Sequence, residues 1–65
     1  MPPTREEIRE FLAEAWIGEE HVATFLEEQV DRQAALLLTR ECLEDLKIPA
    51  ETAELLIQWQ AEARR

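Results

Sequence analysis

A chain of 65 residues forms one small domain with a single core, because a domain of this size buries only about 60 % of the surface that it exposes when unfolded. Apolar residues make up 46 % of the sequence and charged residues 34 %, a balance that argues against a disordered segment. The formal charge of −8 argues against binding to nucleic-acid phosphates or to anionic membranes, since both require cationic side chains.

The sequence predicts a protein that stays out of membranes. No run approaches the ~20 apolar residues that span a bilayer, and the first ten residues, MPPTREEIRE, have neither a basic start nor an apolar signal core. The single cysteine, Cys42, cannot form an internal disulfide, which fits a reducing compartment. We therefore expect an intracellular protein, cytoplasmic or nuclear.

The composition predicts an all-α fold, because helix-favouring residues are abundant and the few β-branched residues do not alternate with polar ones. Helix one is predicted over residues 5–16. Thr4 can cap it, with Glu7 as the second half of a capping box. Its apolar residues follow the spacing of one buried helical stripe: Ile8, Phe11, Leu12, Ala15 and Trp16.

Helix two is predicted over residues 19–29. Gly18 precedes it and can take the left-handed conformation that ends helix one. Within EEHVATFLEEQV the apolar residues recur at helical spacing, which predicts a second buried stripe of Val22, Phe25, Leu26 and Val30.

The stretch VDRQAALLLTRECLEDLKI is rich in leucine but is interrupted by Thr39. Asp31 and Thr39 are both good N-caps, so we predict two short helices, over residues 32–38 and 40–47, that meet at a corner. An unbroken helix could not turn all its leucines inwards, whereas two helices at an angle can. The residues predicted to point inwards are Ala35, Leu36, Leu38, Leu43, Leu46 and Ile48.

The last helix is predicted over residues 50–64, after Pro49, which is tolerated in a first helical turn. Arg64 and Arg65 stand at its negative end, where cations are stabilising. The residues predicted to face the core are Leu55, Leu56 and Trp59, with Ile57 and Ala63 as further candidates.

Five helices in this order, with a Leu-Thr corner between short helices three and four, resemble a sterile alpha motif (SAM) domain. The family pattern I-D-G-x-x-L-L-x-L-T-x-x-D-L-x-x-L-G-I lies over this chain without a gap. Its matches are Val30, Asp31, Leu36, Leu38, Thr39, Leu43, Leu46 and Ile48, and upstream Ile8, Phe11, Leu12, Ile17 and Phe25. The resemblance covers nearly the whole chain and implies a compact five-helix SAM-like bundle, residues 1–65, with a longer C-terminal helix.

The departures from the family pattern concern its binding surfaces. Arg32 and Lys47 replace family glycines, and Cys42 replaces the aspartate after the corner. Many members carry cations at the start of helix five, on the end-helix surface that docks on the acidic mid-loop surface of another SAM domain. Here PAETAELL places Glu51 and Glu54 in that turn instead, which also weakens an RNA-binding role.

Three conspicuous side chains have ordinary interpretations. Trp16 and Trp59 lie on apolar stripes and are predicted to be core residues. Cys42 lies near a helix start, a position that can lower the pKa of a thiol, but the neighbouring carboxylates disfavour the negatively charged thiolate. A reactive thiol is therefore not predicted.

The sequence contains no pair of a nucleophile and a base, no Gly-rich phosphate loop and no cluster of metal ligands at suitable spacing. We expect no enzyme activity, no cofactor and no metal.

The remaining candidates are acidic. The resemblance implies a protein-interaction module, and its mid-loop surface covers Glu27, Glu28, Asp31, Glu41, Glu44 and Asp45. A weaker end-helix-like candidate surface comprises Lys47, Pro49, Ala50 and Glu51. The expected partner is another SAM-like domain with a basic surface, drawn to the acidic patch by charge. Alone, the chain should be a monomer or a weak dimer, because a long homopolymer needs both complementary surfaces on each copy.

Two other interpretations of the sequence stay open. A small acidic helical protein can present carboxylates where DNA presents phosphates, and so inhibit a nucleic-acid-binding protein by mimicry. Mimicry requires rows of carboxylates along an elongated face, whereas a SAM interface requires one compact patch with apolar residues at its centre. The chain can also be a fragment or an engineered sequence whose native context lies elsewhere.

Overall fold

The computed structural model describes residues 2–65, whose helices pack into an all-α bundle measuring 26 × 24 × 19 Å along its principal axes, with no β-strand in that range. The predicted fold class, five helices with short third and fourth members and a longer last one, is confirmed. No helix in residues 2–65 is long and apolar enough to cross a bilayer. The helices are α1 (Arg5–Glu14), α2 (Val22–Glu27, preceded by a 3₁₀ turn at Glu19–His21), α3 (Arg32–Leu37), α4 (Arg40–Asp45) and α5 (Ala50–Ala63).

Three helices begin at the predicted N-caps. The Thr4 hydroxyl accepts a hydrogen bond from the Glu7 backbone N–H at 3.1 Å. The Asp31 carboxylate accepts from Ala34 N–H at 2.8 Å, and the Thr39 hydroxyl accepts from Cys42 N–H at 3.2 Å. Each extended cap residue therefore satisfies one of the N–H groups that a helix leaves without an internal partner.

The ends of α1, α2 and α4 share one backbone geometry. After the last helical turn, one residue takes a left-handed conformation, with φ of 64° at Trp16, 55° at Gln29 and 62° at Lys47. The next N–H bonds back to a carbonyl five residues earlier: Ile17 to Leu12 at 2.8 Å, Val30 to Phe25 at 2.9 Å and Ile48 to Leu43 at 3.0 Å. This is the Schellman motif, in which an apolar residue after the turn packs back onto the helix.

The helix boundaries correct three details of the sequence analysis. The predicted helices run one or two residues too far, because Schellman turns end α1, α2 and α4 earlier and the extended Leu38 ends α3. Helix two was also predicted to start three residues too early, since Glu19–His21 form a 3₁₀ turn before α2. Gly18 was predicted to hold the left-handed position at the end of helix one. Its φ is −67°, and Trp16 holds that position instead.

The core lies where α1, α2 and α5 meet, and it is closed by α3 and α4. Phe11 contacts both other core aromatic rings, with ring centroids 6.0 Å from Phe25 and 5.5 Å from Trp59. The buried apolar residues are Ile8, Phe11, Leu12, Ala15, Ile17, Val22, Phe25, Val30, Ala35, Leu43, Ile48, Ala53, Leu56 and Trp59. The predicted stripes supply nearly all of them.

Some residues predicted to be in the core are not. Trp16 is 86 % exposed, because the left-handed turn directs it away from the stripe that it would occupy in a continuous helix. Ala63, in the last turn of α5, is exposed as well. Six further residues assigned inwards from the sequence are only partly buried, at the edge of the core: Leu26, Leu36, Leu38, Leu46, Leu55 and Ile57.

The corner between α3 and α4 is held by a side chain from α5. Leu38 leaves α3 in an extended conformation, so the last carbonyls of the helix receive no hydrogen bonds from a following turn. The buried Gln60 amide nitrogen donates to the Ala35 carbonyl at 2.7 Å and to the Leu38 carbonyl at 2.8 Å. The Arg64 guanidinium donates to the Leu36 carbonyl. Side chains of the last helix thus cap α3.

A second polar contact joins α1, α3 and α5. Arg32 donates two hydrogen bonds to the Glu14 carboxylate, at 3.0 and 2.7 Å, and the Trp59 indole N–H donates to it at 3.2 Å. The Arg32 guanidinium, followed by the indole, lowers the pKa of Glu14 from its ordinary 4.5 to about 2. Arg32 also lies over the Trp59 ring, 5.9 Å from its centroid.

Candidate functional site

The six acidic candidates lie on α2, α4 and the connection between α2 and α3. Asp31 is half-buried and caps α3, so its carboxylate has a structural role. The other five are exposed. Among residues 2–65 none of the six forms an ion pair, whereas Glu14, Glu19 and Glu54 each pair with an arginine elsewhere on the surface. Their negative charge is therefore uncompensated.

Two of these carboxylates stand at the edge of a shallow groove between the end of α2 and α4. The groove has a volume of about 300 Å³, and Glu28 and Asp45 line it from opposite helices. Its floor is apolar and is made of Val30, Leu38, Cys42 and Leu46. We call this feature, with its six lining residues, the acidic groove.

The helix ends explain how the acidic groove forms. Glu28 is the last residue before the left-handed turn of α2, and that turn brings Val30 back against the helix end. On α4, Cys42, Asp45 and Leu46 are three and four residues apart and therefore share one helix face. Leu43, on the adjoining face of the helix, is fully buried and anchors α4 to the core.

The structure does not bring all six candidates to the groove. Glu27, Glu41 and Glu44 are exposed on the same helices but do not line it. These three carboxylates add negative charge around the groove, but they do not line the space in which a partner side chain would bind. The groove's immediate carboxylates are Glu28 and Asp45.

The sequence analysis missed the apolar floor of the groove. The predicted burial of Val30 is confirmed, whereas Leu38 and Leu46 were predicted to face the core and are only partly buried. Cys42 was considered only as a departure from the family pattern and for the reactivity of its thiol. Leu38 and Leu46 are half-buried because each directly follows the last turn of its helix, at the edge of the core. That position next to a predicted helix end was a usable signal, since an apolar residue there can face outwards.

Cys42 lies in the acidic groove with an exposed thiol. The Thr39 hydroxyl lowers the pKa of this thiol, and the backbone of Thr39 acts in the same direction. Asp45 and Glu41 oppose the shift, as the sequence predicted for the carboxylates near it. Within residues 2–65 no three His, Cys, Asp or Glu side chains converge in a way that could hold a metal ion.

The weaker candidate surface lies at the start of α5. Lys47, Pro49, Ala50 and Glu51 are all exposed. The nearest paired cation is Arg40 on α4, which contacts Glu54 at 2.7 Å, so its charge is compensated. Lys47 is therefore the one free cation among these neighbours, and in residues 2–65 it forms no ion pair.

Comparison of the chain with protein-family models, with curated proteins and with solved structures found no match.

Proposed function

We propose that this chain is a non-catalytic protein-interaction module whose acidic groove binds a basic surface of another protein. One observation carries the proposal: an apolar floor is bordered by carboxylates that have no cationic partner within residues 2–65. If this surface served only to stabilise the fold, pairing its carboxylates with cations would be favourable. The chain forms such pairs with arginine at Glu14, Glu19 and Glu54.

The two parts of the groove have different roles in binding. Burying the partly exposed floor residues Leu38 and Leu46 contributes free energy at about 25 cal/mol per Å² of apolar surface. Glu28 and Asp45 accelerate encounter with a cationic partner and disfavour acidic ones. An apolar centre with a charged rim is the usual arrangement of a protein interface.

The partner that best fits the groove is a second small helical domain with cations on one exposed turn. The resemblance to SAM domains supports this choice, since their acidic mid-loop surface docks on a basic end helix. The start of α5 in this chain offers Pro49, Ala50 and Glu51, and its neighbour Arg40 is paired with Glu54. We therefore propose association with a different chain and no long homopolymer.

The compact shape favours an interaction module over a nucleic-acid mimic. Mimicry requires carboxylates in rows along an elongated face, whereas residues 2–65 measure 26 × 24 × 19 Å and the carboxylates of Glu28 and Asp45 border an apolar groove. Phosphates do not provide an apolar centre, so a mimic has no use for one.

A comparative pull-down tests the proposal. Three baits are used: the wild type, a groove variant carrying Glu28→Lys and Asp45→Lys, and a control carrying Glu6→Lys and Glu10→Lys on the exposed face of α1. Both variants change the net charge equally. The expected partner binds the wild type and the control but not the groove variant, and mass spectrometry identifies it.

Binding of the purified partner is then measured over a range of salt concentrations. We expect affinity to fall as salt rises, because exposed charges are screened. A partner whose affinity changes neither with salt nor with the groove substitutions would place the interface elsewhere, and the surface around Pro49 and Ala50 would be tested next. Sedimentation of the chain alone should show a monomer or a weak closed dimer, and open-ended growth with concentration would contradict the proposed stoichiometry.

A further inference from the structure

Trp16 occupies an unfavourable position for a tryptophan. It is 86 % exposed, so it contributes almost nothing to the core. Its φ of 64° lies in the left-handed region, which is strained for any residue with a Cβ atom. The equivalent positions at the ends of α2 and α4 hold the polar residues Gln29 and Lys47. Folding therefore gives no reason for an indole at this site, and a strained, exposed residue is a reason to look for a ligand.

The surface beside Trp16 is concave. A notch of about 130 Å³ lies between the end of α1 and the face of α5, and its lining includes Trp16, Leu55, Trp59, Glu14 and Glu62. Pockets for cofactors and drug-sized molecules usually enclose about 300–1,000 Å³, so this notch accommodates one side chain rather than a small-molecule ligand. It involves none of the residues that line the acidic groove.

The two carboxylates of the notch differ in their availability. Glu14 already accepts two hydrogen bonds from Arg32 and one from the Trp59 indole. Glu62 is exposed and forms no ion pair within residues 2–65. The notch thus combines an exposed indole face, the apolar side chain of Leu55 and one free carboxylate.

We infer that the Trp16 notch binds an arginine side chain of a partner protein, independently of the acidic groove. An arginine has an apolar stem that packs along Leu55 and a planar cation that stacks on an indole. Its guanidinium also forms two parallel hydrogen bonds with a carboxylate, here that of Glu62. An apolar side chain would bury Glu62 without a partner, and an acidic one would be repelled by it.

Nuclear magnetic resonance of the full ¹⁵N-labelled chain tests this inference. The chain has two tryptophans, and loss of one indole N–H signal in Trp16→Leu assigns the signal of Trp16. The probe is a capped Gly-Arg-Gly tripeptide, and its matched control contains citrulline, which has the same shape without the charge. We expect a saturable shift of the Trp16 indole signal with the arginine peptide, and binding weaker by about fivefold or more with citrulline.

Four variants separate the contributions. In Trp16→Leu, the signals of Leu55 should no longer shift when the arginine peptide is added. In Glu62→Gln, the same signals should show peptide binding weakened by about fivefold. Glu10→Gln, an equal charge change on the exposed face of α1, should leave peptide binding unchanged. Asp45→Lys reports separately whether the peptide occupies the acidic groove. Trp16 is exposed, so its replacement should leave the fold intact, which circular dichroism checks.

Several outcomes overturn the inference. They are the absence of a saturable shift at Trp16, equal binding of the citrulline peptide, and unchanged binding in Glu62→Gln. A shift of the Trp16 signal that depends on protein concentration without any peptide would show that a second copy of the chain occupies the notch instead. Loss of binding in Asp45→Lys would assign the peptide to the acidic groove.

Discussion

Replacement of Gln60 should reveal how strongly the α3–α4 corner depends on one side chain. Gln60 is 7 % exposed, and its amide nitrogen bonds to the Ala35 and Leu38 carbonyls. Gln60→Leu keeps the approximate size and removes both donors. A buried acceptor left without a donor costs about 1–3 kcal/mol, and the Leu38 carbonyl costs less because Leu38 is half-buried.

The added apolar surface of leucine offsets about 1 kcal/mol of that loss. The net expectation for Gln60→Leu is a loss of about 1–3 kcal/mol in the free energy of unfolding. In a domain of this size a loss of 1 kcal/mol lowers the melting temperature by about 4–8 °C, so the effect is easily measured. Urea unfolding followed by circular dichroism gives the free energy directly.

Gln60→Glu provides a sharper test, because it changes the donor without changing the shape. Ionised, the introduced carboxylate has no donor and faces two carbonyl oxygens. Protonated, it regains one O–H donor. Its pKa should therefore be raised in the folded state, so the stability it contributes is present below the unfolded pKa of about 4.3 and is lost as pH rises through the folded value. The deficit relative to wild type should shrink between about pH 7 and about pH 4.

The matched controls for these variants are Gln58→Leu and Gln58→Glu, on the exposed side of the same helix. They should change stability by no more than about 0.5 kcal/mol. The reasoning is refuted if Gln60→Leu is as stable as its control, or if the deficit of Gln60→Glu does not depend on pH.

Two further predictions concern α4 and the Glu14 contact. Lys47→Gly should stabilise the chain by about 0.5–1 kcal/mol, because glycine removes the strain of the left-handed φ of 62° and this gain exceeds the added freedom of the unfolded chain. The urea midpoint should exceed that of Lys47→Ala, and an equal midpoint would contradict the strain argument. The lowered pKa of Glu14 means that its contribution is present above the ordinary value of 4.5 and is lost as pH falls towards about 2. Since its side chain is 50 % exposed, that contribution is on the order of 1 kcal/mol. Glu14→Gln should flatten the fall in stability over this range of pH, and an unchanged profile in acid unfolding would show that Arg32 does not stabilise the folded state through Glu14.

The sequence was informative wherever a short-range rule decides the structure. Thr4, Asp31 and Thr39 cap helices through hydrogen bonds to residues three positions away, so their positions in the sequence are sufficient to predict them. The buried stripes of α1 and α2 follow from helical spacing in the same way. These local signals predicted the number and order of the helices and the starts of α1, α3, α4 and α5.

Long-range contacts were not predictable from such rules. Gln60 caps carbonyls 25 and 22 residues away, and Trp59 bonds to Glu14 across 45 residues. Nothing near Gln60 in the sequence distinguishes it from the exposed Gln58 except its place on the helix face, and the polarity of its side chain argued against a core position. Its burial becomes explicable only when the extended exit from α3 is known.

Trp16 shows why a hydrophobic pattern alone misplaces residues at helix ends. Its spacing from Phe11 and Leu12 fits a buried stripe, but that fit assumes that the helix continues through residue 16. The Schellman turn begins one residue earlier, and a left-handed residue points its side chain in a different direction from a helical one. The same turn at α2 brings Val30 to the floor of the acidic groove, and at α4 the groove residues Asp45 and Leu46 lie just before the turn. Both proposed binding surfaces of this chain therefore lie at helix ends, where the backbone turn rather than the apolar pattern determines which side chains face the solvent.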